Sequence, residues 1–138
     1  MVNRQREWNS RAATQRGLLT RADVLELGGS DGLIQSRTSS GLWVAQQPGV
    51  YLPGGVAPDW EQRLLASVLA SGPSAVASHR AAWVLWGLDG VATAPLELTV
   101  DYTKGPSPTG VVRHRTRRPP EVHLLRSVPC TSVERTLI

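Results

Sequence analysis

The sequence predicts an α+β fold in which an N-terminal winged helix-turn-helix precedes a small α+β domain. Three observations predict it. Three short capped segments, separated by glycines, fill the first forty residues. Two β-prone runs then flank Pro48-Gly49, as in a hairpin. Farther along, helical segments precede a clean period-two strand, in which Leu96, Leu98 and Val100 share one face.

Capping signals and apolar spacing define the first three helices. The first is predicted over about residues 4–16, where apolar residues recur at helical spacing. Thr20 and Asp23 are close to a capping box, which begins a second helix over about 21–27. A third helix follows over about 31–39.

A tight glycine turn separates the second helix from the third. Gly28 and Gly29 lie where a left-handed backbone is favourable, and Ser30 follows as the next N-cap. Two short helices joined in this way are typical of a helix-turn-helix. The following strands, over 42–45 and 50–52, add a wing.

A Gly- and Pro-containing linker at 53–58 is predicted to separate the winged helix, 1–52, from the α+β domain, 59–138. In that domain Asp59 and Ser78 are the expected N-caps of two helices. A final short helix is predicted from a capping box at residues 131–134. The other predicted elements cover residues 60–71, 79–86, 96–100, 111–115 and 122–126.

Positive charge is concentrated at the two ends of the chain. The 138 residues carry a net charge of +4 and a pI of about 10.2. Residues 1–52 have six arginines against four acids, and residues 106–138 have six against two, whereas the middle is net negative. This distribution fits either a two-part nucleic-acid footprint or an ordinary arginine-rich surface.

One cysteine, Cys130, excludes an internal disulfide and a cysteine-based zinc site. No stretch approaches the roughly 20 apolar residues of a membrane span. The N-terminus has no apolar signal core. We therefore expect a cytoplasmic protein with a reduced thiol and no membrane partner.

Four stretches of the chain resemble the AbiEi-type family of antitoxins and transcriptional regulators. They cover 17–25, 49–51, 78–82 with 85–88, and 128–132 with 135–137, and the third is the most specific. Their order and spacing match over nearly the whole chain. The resemblance implies a winged-helix domain that binds promoter DNA, often repressing its own operon, and then a small α+β domain.

The chain departs from this family in two respects. Relatives often carry arginines through the recognition helix and wing, where this sequence has mostly Gln, Ser and Thr around Arg37. We therefore expect weaker phosphate affinity and more hydrogen-bonding readout. Relatives also usually continue past the position of Ile138 into a toxin-neutralising or nuclease-like domain. We therefore expect regulation rather than toxin neutralisation.

The third helix is the expected reader of bases, because the second helix of a helix-turn-helix pair enters the major groove. Gln can bond adenine at two points, and Arg can do so with guanine. The alternative is that these residues form an ordinary polar surface, a hairpin turn and a charged strand end. The candidate DNA contacts are Arg21, Ser30, Gln35, Ser36, Arg37, Ser39, Ser40, Gln46, Gln47, Arg113, Arg115, Arg117 and Arg118.

Catalysis is not predicted. Ser78 and His79 are adjacent at a helix start and cannot easily form a nucleophile–base pair, so packing or capping is expected there. Asp101 and Lys104 are the only hint of a metal-dependent nuclease, with no second acid at a telling spacing. The sequence therefore predicts no catalytic residue, no metal site and no cofactor.

Taken together, these features predict a sequence-specific regulator that binds double-stranded DNA. Its expected role is repression of its own operon, or of phage or mobile-element genes. A homodimer is left open. The alternative, from a different class, is an antitoxin-like interaction module that neutralises a toxin protein.

Overall fold

Helices and strands both contribute to the computed structural model, which describes residues 2–101, 108 and 110–137 and confirms the α+β class. The N-terminal part contains three helices and a hairpin, in the order in which the sequence predicts them. Its elements are α1 (Val2–Ala13), β1 (Leu19–Thr20), α2 (Arg21–Glu26), α3 (Asp31–Ser39), β2 (Trp43–Gln47) and β3 (Val50–Pro53).

The N-terminal elements differ from the prediction mainly at three places. Strand β2 runs from Trp43 to Gln47, past the predicted 42–45, so Gln46 and Gln47 lie in the strand rather than in the turn. Helix α1 ends at Ala13 rather than near residue 16, because Arg16 and Gly17 adopt positive φ angles of 56° and 91° and turn the chain. Strand β1, which was not predicted, pairs antiparallel with β3. The resulting sheet has the order β1-β3-β2.

Two tryptophans form the centre of the N-terminal core. The rings of Trp8 and Trp43 meet edge to face, with centroids 5.8 Å apart, and Val24 and Ile34 are buried with them. A Cβ atom at Gly29 would lie 2.4 Å from Val24 Cγ1 and 3.1 Å from Trp8 Cζ2. Only glycine therefore allows the turn between α2 and α3 to pack this closely on the core.

A five-stranded sheet forms the second part of the chain, with the order β6-β5-β4-β8-β7. The pairs β5–β6 and β4–β8 are parallel, and the other neighbours are antiparallel. Its elements are α4 (Trp60–Ser71), β4 (Val76–Ala77), α5 (His79–Leu85), a 3₁₀ turn (Leu88–Gly90), β5 (Leu96–Val100), β6 (Val111–Arg115), β7 (Val122–Leu125), β8 (Val128–Thr131) and α6 (Val133–Leu137).

The predicted start of the last helix is wrong by one residue. Thr131 ends β8, and the Ser132 hydroxyl accepts a hydrogen bond from the backbone N–H of Arg135 at 3.2 Å. Thr131 is occupied elsewhere, because its hydroxyl lies 2.8 Å from that of Thr136. Two serine or threonine residues in succession made the N-cap ambiguous in the sequence.

Helix α4 connects the two parts of the molecule. Leu64 and Leu65 of α4 are buried in one core that contains Leu98 of the sheet and Val50 and Leu52 of the hairpin. The segment 54–58 therefore joins two parts that share a core. None of the helices within the described ranges is long and apolar enough to cross a membrane.

Polar contacts reinforce this junction. Gln62 of α4 donates a hydrogen bond to the backbone carbonyl of Arg16 at 2.8 Å. Arg126, in the turn before β8, pairs with Glu61 of α4 at 3.0 Å, and its own carbonyl accepts a hydrogen bond from the Arg16 guanidinium. These contacts fix the end of α1 against the second part.

The predicted capping box at the start of α2 is confirmed. The backbone N–H of Asp23 donates to the Thr20 hydroxyl at 3.0 Å, and the Thr20 N–H donates to the Asp23 carboxylate at 2.9 Å. Gln15 and Arg11 donate to the same carboxylate at 2.9 and 2.7 Å. Burial alone raises the pKa of Asp23, but the hydrogen bonds from Thr20, Gln15 and Arg11 outweigh burial and lower it.

We expect Asp23→Asn to lower the free energy of unfolding at pH 7 by about 1.5–3 kcal/mol, because the donors lose a charged acceptor. A carboxylate with a lowered pKa stabilises the fold above its ordinary value of 3.8 and loses that effect as the pH falls through the folded-state pKa. Urea unfolding should therefore show the variant approaching wild type below about pH 4.

Glu7→Gln is the matched control, because Glu7 is exposed on α1. It should change the free energy of unfolding by less than about 0.5 kcal/mol. Equal stability of wild type and Asp23→Asn at pH 7 would contradict this account of the cap.

Candidate nucleic-acid interface

Helix α3 presents one polar, exposed face. Gln35, Ser36 and Ser39 are exposed, and their spacing places them on one side of the helix together with Gly32. The opposite side packs inward through Ile34, which is buried. The sequence predicts five DNA contacts on this helix and its C-cap. Four of them lie at the surface, namely Gln35, Ser36, Ser39 and Ser40, whereas Arg37 is half-buried.

Two serines at the ends of α3 have local structural roles. The Ser30 hydroxyl accepts a hydrogen bond from the Leu33 N–H at 3.1 Å, which confirms the predicted N-cap. Ser40 is the C-cap, and its hydroxyl donates to the Arg37 carbonyl at 3.2 Å. Both serines are exposed, so they lie at the two ends of the polar face.

Arg37 lies apart from the other candidates on α3. Its guanidinium carbon is 5.7 Å from the ring centroid of Trp8 and 5.5 Å from that of Trp43. A cation over an indole ring is attracted by the negative face of the π system. Arg37 is half-buried in this position and joins α3 to α1 and β2. We call this contact the Trp8–Arg37–Trp43 clamp.

Arg21 is engaged by an acid at the start of α3. Its Nε and Nη2 atoms donate to the two carboxylate oxygens of Asp31 at 2.7 and 2.9 Å. This paired geometry raises the pKa of Arg21 and lowers that of Asp31. A DNA phosphate would therefore compete with Asp31 for this guanidinium.

The wing glutamines face the second part of the molecule. Gln47 is buried and Gln46 is half-buried, and both line a cavity of about 290 Å³ with Arg63 and Gly110. A β-bulge between Ala45 and Gln47 shifts the pairing of β2 with β3. Because a bulge redirects the side chains that follow it, simple alternation along the hairpin could not locate these glutamines.

The second basic patch runs along the edge strand β6 and the loop after it. Arg115, Arg117 and Arg118 are exposed, whereas Arg113 is half-buried opposite Leu98. The Thr116 hydroxyl accepts a hydrogen bond from the Arg118 N–H at 3.1 Å, which shapes the loop. We call the four arginines the β6 patch. At about 3.3 Å per residue, β6 places Arg115 roughly 16 Å from the cavity beside the wing.

A cluster that the sequence did not reveal lies on the other face of β5 and β6. His114 Nε2 is 2.6 Å from a carboxylate oxygen of Glu97. The imidazole rings of His114 and His79 stack with centroids 3.9 Å apart. Glu97 is buried and His79 is exposed. We call His79, Glu97 and His114 the His–Glu cluster.

The predicted N-cap position of α5 is confirmed at Ser78, but the Ser78 side chain does not cap the helix. Instead its hydroxyl accepts from the Thr99 hydroxyl at 2.8 Å and lies 2.9 Å from His79 Nδ1. The Glu97 carboxylate replaces it, accepting from the Arg80 backbone N–H at 3.1 Å and from Arg80 Nε at 3.0 Å.

The environment of the His–Glu cluster shifts two of its pKa values. Burial lowers the pKa of His79, and the neighbouring His114 lowers it further. Burial alone raises the pKa of Glu97, but hydrogen bonds from His114 and Arg80 outweigh burial and lower it. Both shifts favour a neutral His79 imidazole beside an ionised Glu97 carboxylate.

The sequence indicated which faces of the strands the cluster residues occupy. Alternation along β5 places Glu97 on the other face from Leu98, and alternation along β6 places His114 on the other face from Arg113 and Arg115. The sequence did not indicate that β5 and β6 pair in parallel, with Thr99 next to His114 on the neighbouring strand. Strands this close in sequence usually pair as a hairpin, so the parallel pairing could not be assumed.

Asp101 with Lys104, and Cys130, are the other candidate features of the sequence. Lys104 lies outside the described residues, and Asp101 is half-buried at the end of β5. Cys130 is buried, and burial raises the pKa of its thiol to about 11. A thiol with that pKa remains protonated at neutral pH and is a poor nucleophile.

We expect Arg37→Gln to destabilise the N-terminal part by about 1–2 kcal/mol, because it removes the Arg37 cation–π contacts, one with each indole ring, while Arg4 remains 6.0 Å from the Trp8 ring. Urea unfolding followed by tryptophan fluorescence measures this loss. Arg6→Gln, an exposed substitution on α1, is the control and should leave the unfolding midpoint nearly unchanged. Equal midpoints for the two variants would show that the clamp contributes nothing to stability.

Neither the models of known protein families nor the curated proteins gave a match to this chain. The AbiEi-type family therefore remains a prediction that depends on the four stretches of sequence described above.

Proposed function

We propose that the protein is a sequence-specific transcriptional regulator that binds double-stranded DNA and reads bases with the exposed face of α3. The observation that supports this proposal most directly is the polar face of Gln35, Ser36 and Ser39 on the third helix of a three-helix and hairpin arrangement. In a winged helix-turn-helix, this helix enters the major groove.

Neutral hydrogen-bonding groups would carry the readout. A glutamine amide can donate to and accept from the major-groove edge of adenine, whereas serine bonds to several bases. Gln35 is therefore the residue that would discriminate most strongly, and we expect an A·T pair opposite it. Arg37 would act indirectly, because the Trp8–Arg37–Trp43 clamp sets the orientation of α3.

Phosphate contacts must then come from outside α3. The exposed arginines of the β6 patch, Arg115 and Arg118 among them, are suited to that role. The β6 patch lies on the five-stranded sheet, so we expect it to contact the DNA backbone separately from the base contacts of α3.

Repression of its own operon, or of phage or mobile-element genes, is the regulatory outcome that we infer from the family resemblance. Binding to two half-sites would involve two copies of the chain. A palindromic target with half-sites about one helical turn apart would indicate such a dimer.

The first experiment is selection of binding sequences from a random duplex pool, followed by affinity measurements on the enriched sequence. We expect Gln35→Ala to weaken binding to that sequence by about 5- to 150-fold, since a bidentate base contact contributes about 1–3 kcal/mol. Binding to random duplex should change little. Gln5→Ala is the matched control, because Gln5 is an exposed glutamine on α1.

The second arm measures the salt dependence of binding. Replacing both Arg115 and Arg118 by alanine should weaken binding to all sequences and reduce the slope of log K against log salt by up to about 1.8. If selection enriches no motif and the protein binds the upstream DNA of its gene no better than random duplex, the proposal is wrong.

One observation favours a second candidate function, an antitoxin-like module that binds a toxin protein. Strand β7 lies at the edge of the five-stranded sheet, and its Val122 and Leu124 side chains are 55% and 71% exposed. Exposed apolar residues on an edge strand are suited to strand addition by a partner. Stable co-purification with the product of a neighbouring gene, without any DNA preference, would support this candidate instead.

A further inference from the structure

We propose that the His–Glu cluster binds one divalent first-row transition metal ion, with Zn²⁺ as the reference case. His79, Glu97 and His114 each offer one ligand atom, and these atoms lie within 4.8 Å of one another. Two imidazoles and one carboxylate form a donor set that proteins use for zinc and for non-haem iron. The inference goes beyond DNA binding and does not depend on it.

The three ligands are brought together by the fold rather than by sequence proximity. Glu97 lies in β5 and His114 in β6, and the parallel register places both on the same face of the sheet. His79 is the first residue of α5, whose N-terminus lies against that face through the hydrogen bond from the Ser78 N–H to the Glu97 carbonyl at 3.0 Å.

The backbone at His79 is held in an unusual conformation. Its φ angle is +52°, in the left-handed region, which is unfavourable for a residue other than glycine. Both neighbours are bonded to Glu97, Ser78 through its N–H and Arg80 through its N–H and Nε. The fold therefore fixes His79 next to the carboxylate at an energetic cost.

Outer contacts on His79 and Glu97 leave one atom of each side chain for the ion. The Ser78 hydroxyl lies 2.9 Å from His79 Nδ1, so Nε2 is the nitrogen that remains for coordination. Arg80 engages the Glu97 Oε1 atom and leaves Oε2 facing His114. Metal sites characteristically hold the second atom of each ligand in this way, which fixes the ring orientation and the tautomer.

Binding requires a modest rearrangement. Ligand atoms in a tetrahedral zinc site lie about 3.3 Å apart, given bonds of about 2.0–2.1 Å. Because His79 is exposed, its ring can rotate out of the stack with His114 to reach that spacing. The ion replaces the 2.6 Å hydrogen bond between His114 and Glu97, and His114 coordinates through Nε2 as a neutral imidazole that carries its one proton on Nδ1.

A cavity of about 620 Å³ adjoins the His79 side of the cluster and gives an ion held there access to solvent. Its lining also includes Ser78, Thr99, Glu134 and Arg135. An ion with three protein ligands at the edge of such a cavity would take water as its fourth ligand. A small anion could replace that water next to Arg135.

The test uses the full chain without an affinity tag, stripped with a chelator and titrated with ZnCl₂ in a calorimeter. We expect one ion per chain and an increase in Tm with zinc concentration. MgCl₂ should have no comparable effect, because Mg²⁺ prefers oxygen ligands. Co²⁺ should give visible absorption bands of a site with nitrogen and oxygen ligands.

Two variants and a matched control locate the site. His79→Asn, in which asparagine tolerates the left-handed backbone, and His114→Gln should each weaken zinc binding at least tenfold. His123→Gln should bind as wild type does, because His123 lies on β7 near Glu121, outside the cluster. Far-UV circular dichroism establishes that each variant is folded.

The proposal is overturned if wild type shows no saturable binding of one ion, or if His79→Asn and His114→Gln bind zinc as tightly as wild type. If either variant fails to fold, imidazole NMR signals of wild type decide instead. Zinc must shift the signals of His79 and His114 and leave those of His123 in place. Failure on either count leaves the DNA-binding proposal untouched.

Discussion

Burial of helix α4 between the hairpin and the five-stranded sheet is the constraint on which the rest of the structure depends. Leu64 of α4 is fully buried, and its core includes Val50 of β3 as well as Leu98 of β5. Removing several such side chains from water contributes about 1.5–3 kcal/mol for each one. The two parts of the chain therefore fold against one helix, and the polar face of α3 keeps a fixed position relative to the β6 patch.

Within the second part, the Glu97 carboxylate connects β5 to α5 through Arg80 and to β6 through His114. A buried carboxylate is unfavourable unless its oxygens are satisfied. Here one oxygen accepts both hydrogen bonds from Arg80 and the other meets His114. The Glu97 carboxylate therefore caps α5, has its charge balanced by Arg80, and lies next to His114 and His79. The contacts that stabilise this buried carboxylate also place it among the candidate metal ligands.

Local signals in the sequence predicted the elements well, and long-range pairing limited the rest. Caps and apolar spacing placed α3 and α4 at their observed bounds, and alternation did the same for β5 and β6. Strands β1 and β4 were missed because two residues show no periodicity, and β8 was missed because its four residues are almost all buried and show no alternation. The polar face of α3 was foreseen, but the inward position of Arg37 depends on the tryptophans of α1 and β2. The His–Glu cluster needed the parallel register of β5 and β6.

The separation of the clamp from the exposed face of α3 has a consequence for how this protein can change. Arg37 and Ile34 hold the helix in place, whereas Gln35, Ser36 and Ser39 face outward. Substitutions at such exposed positions usually alter the free energy of unfolding by less than about 0.5 kcal/mol. The outward residues can therefore be exchanged in many combinations without loss of the fold. If the proposed DNA-binding function holds, new target preferences would need changes at only these three positions.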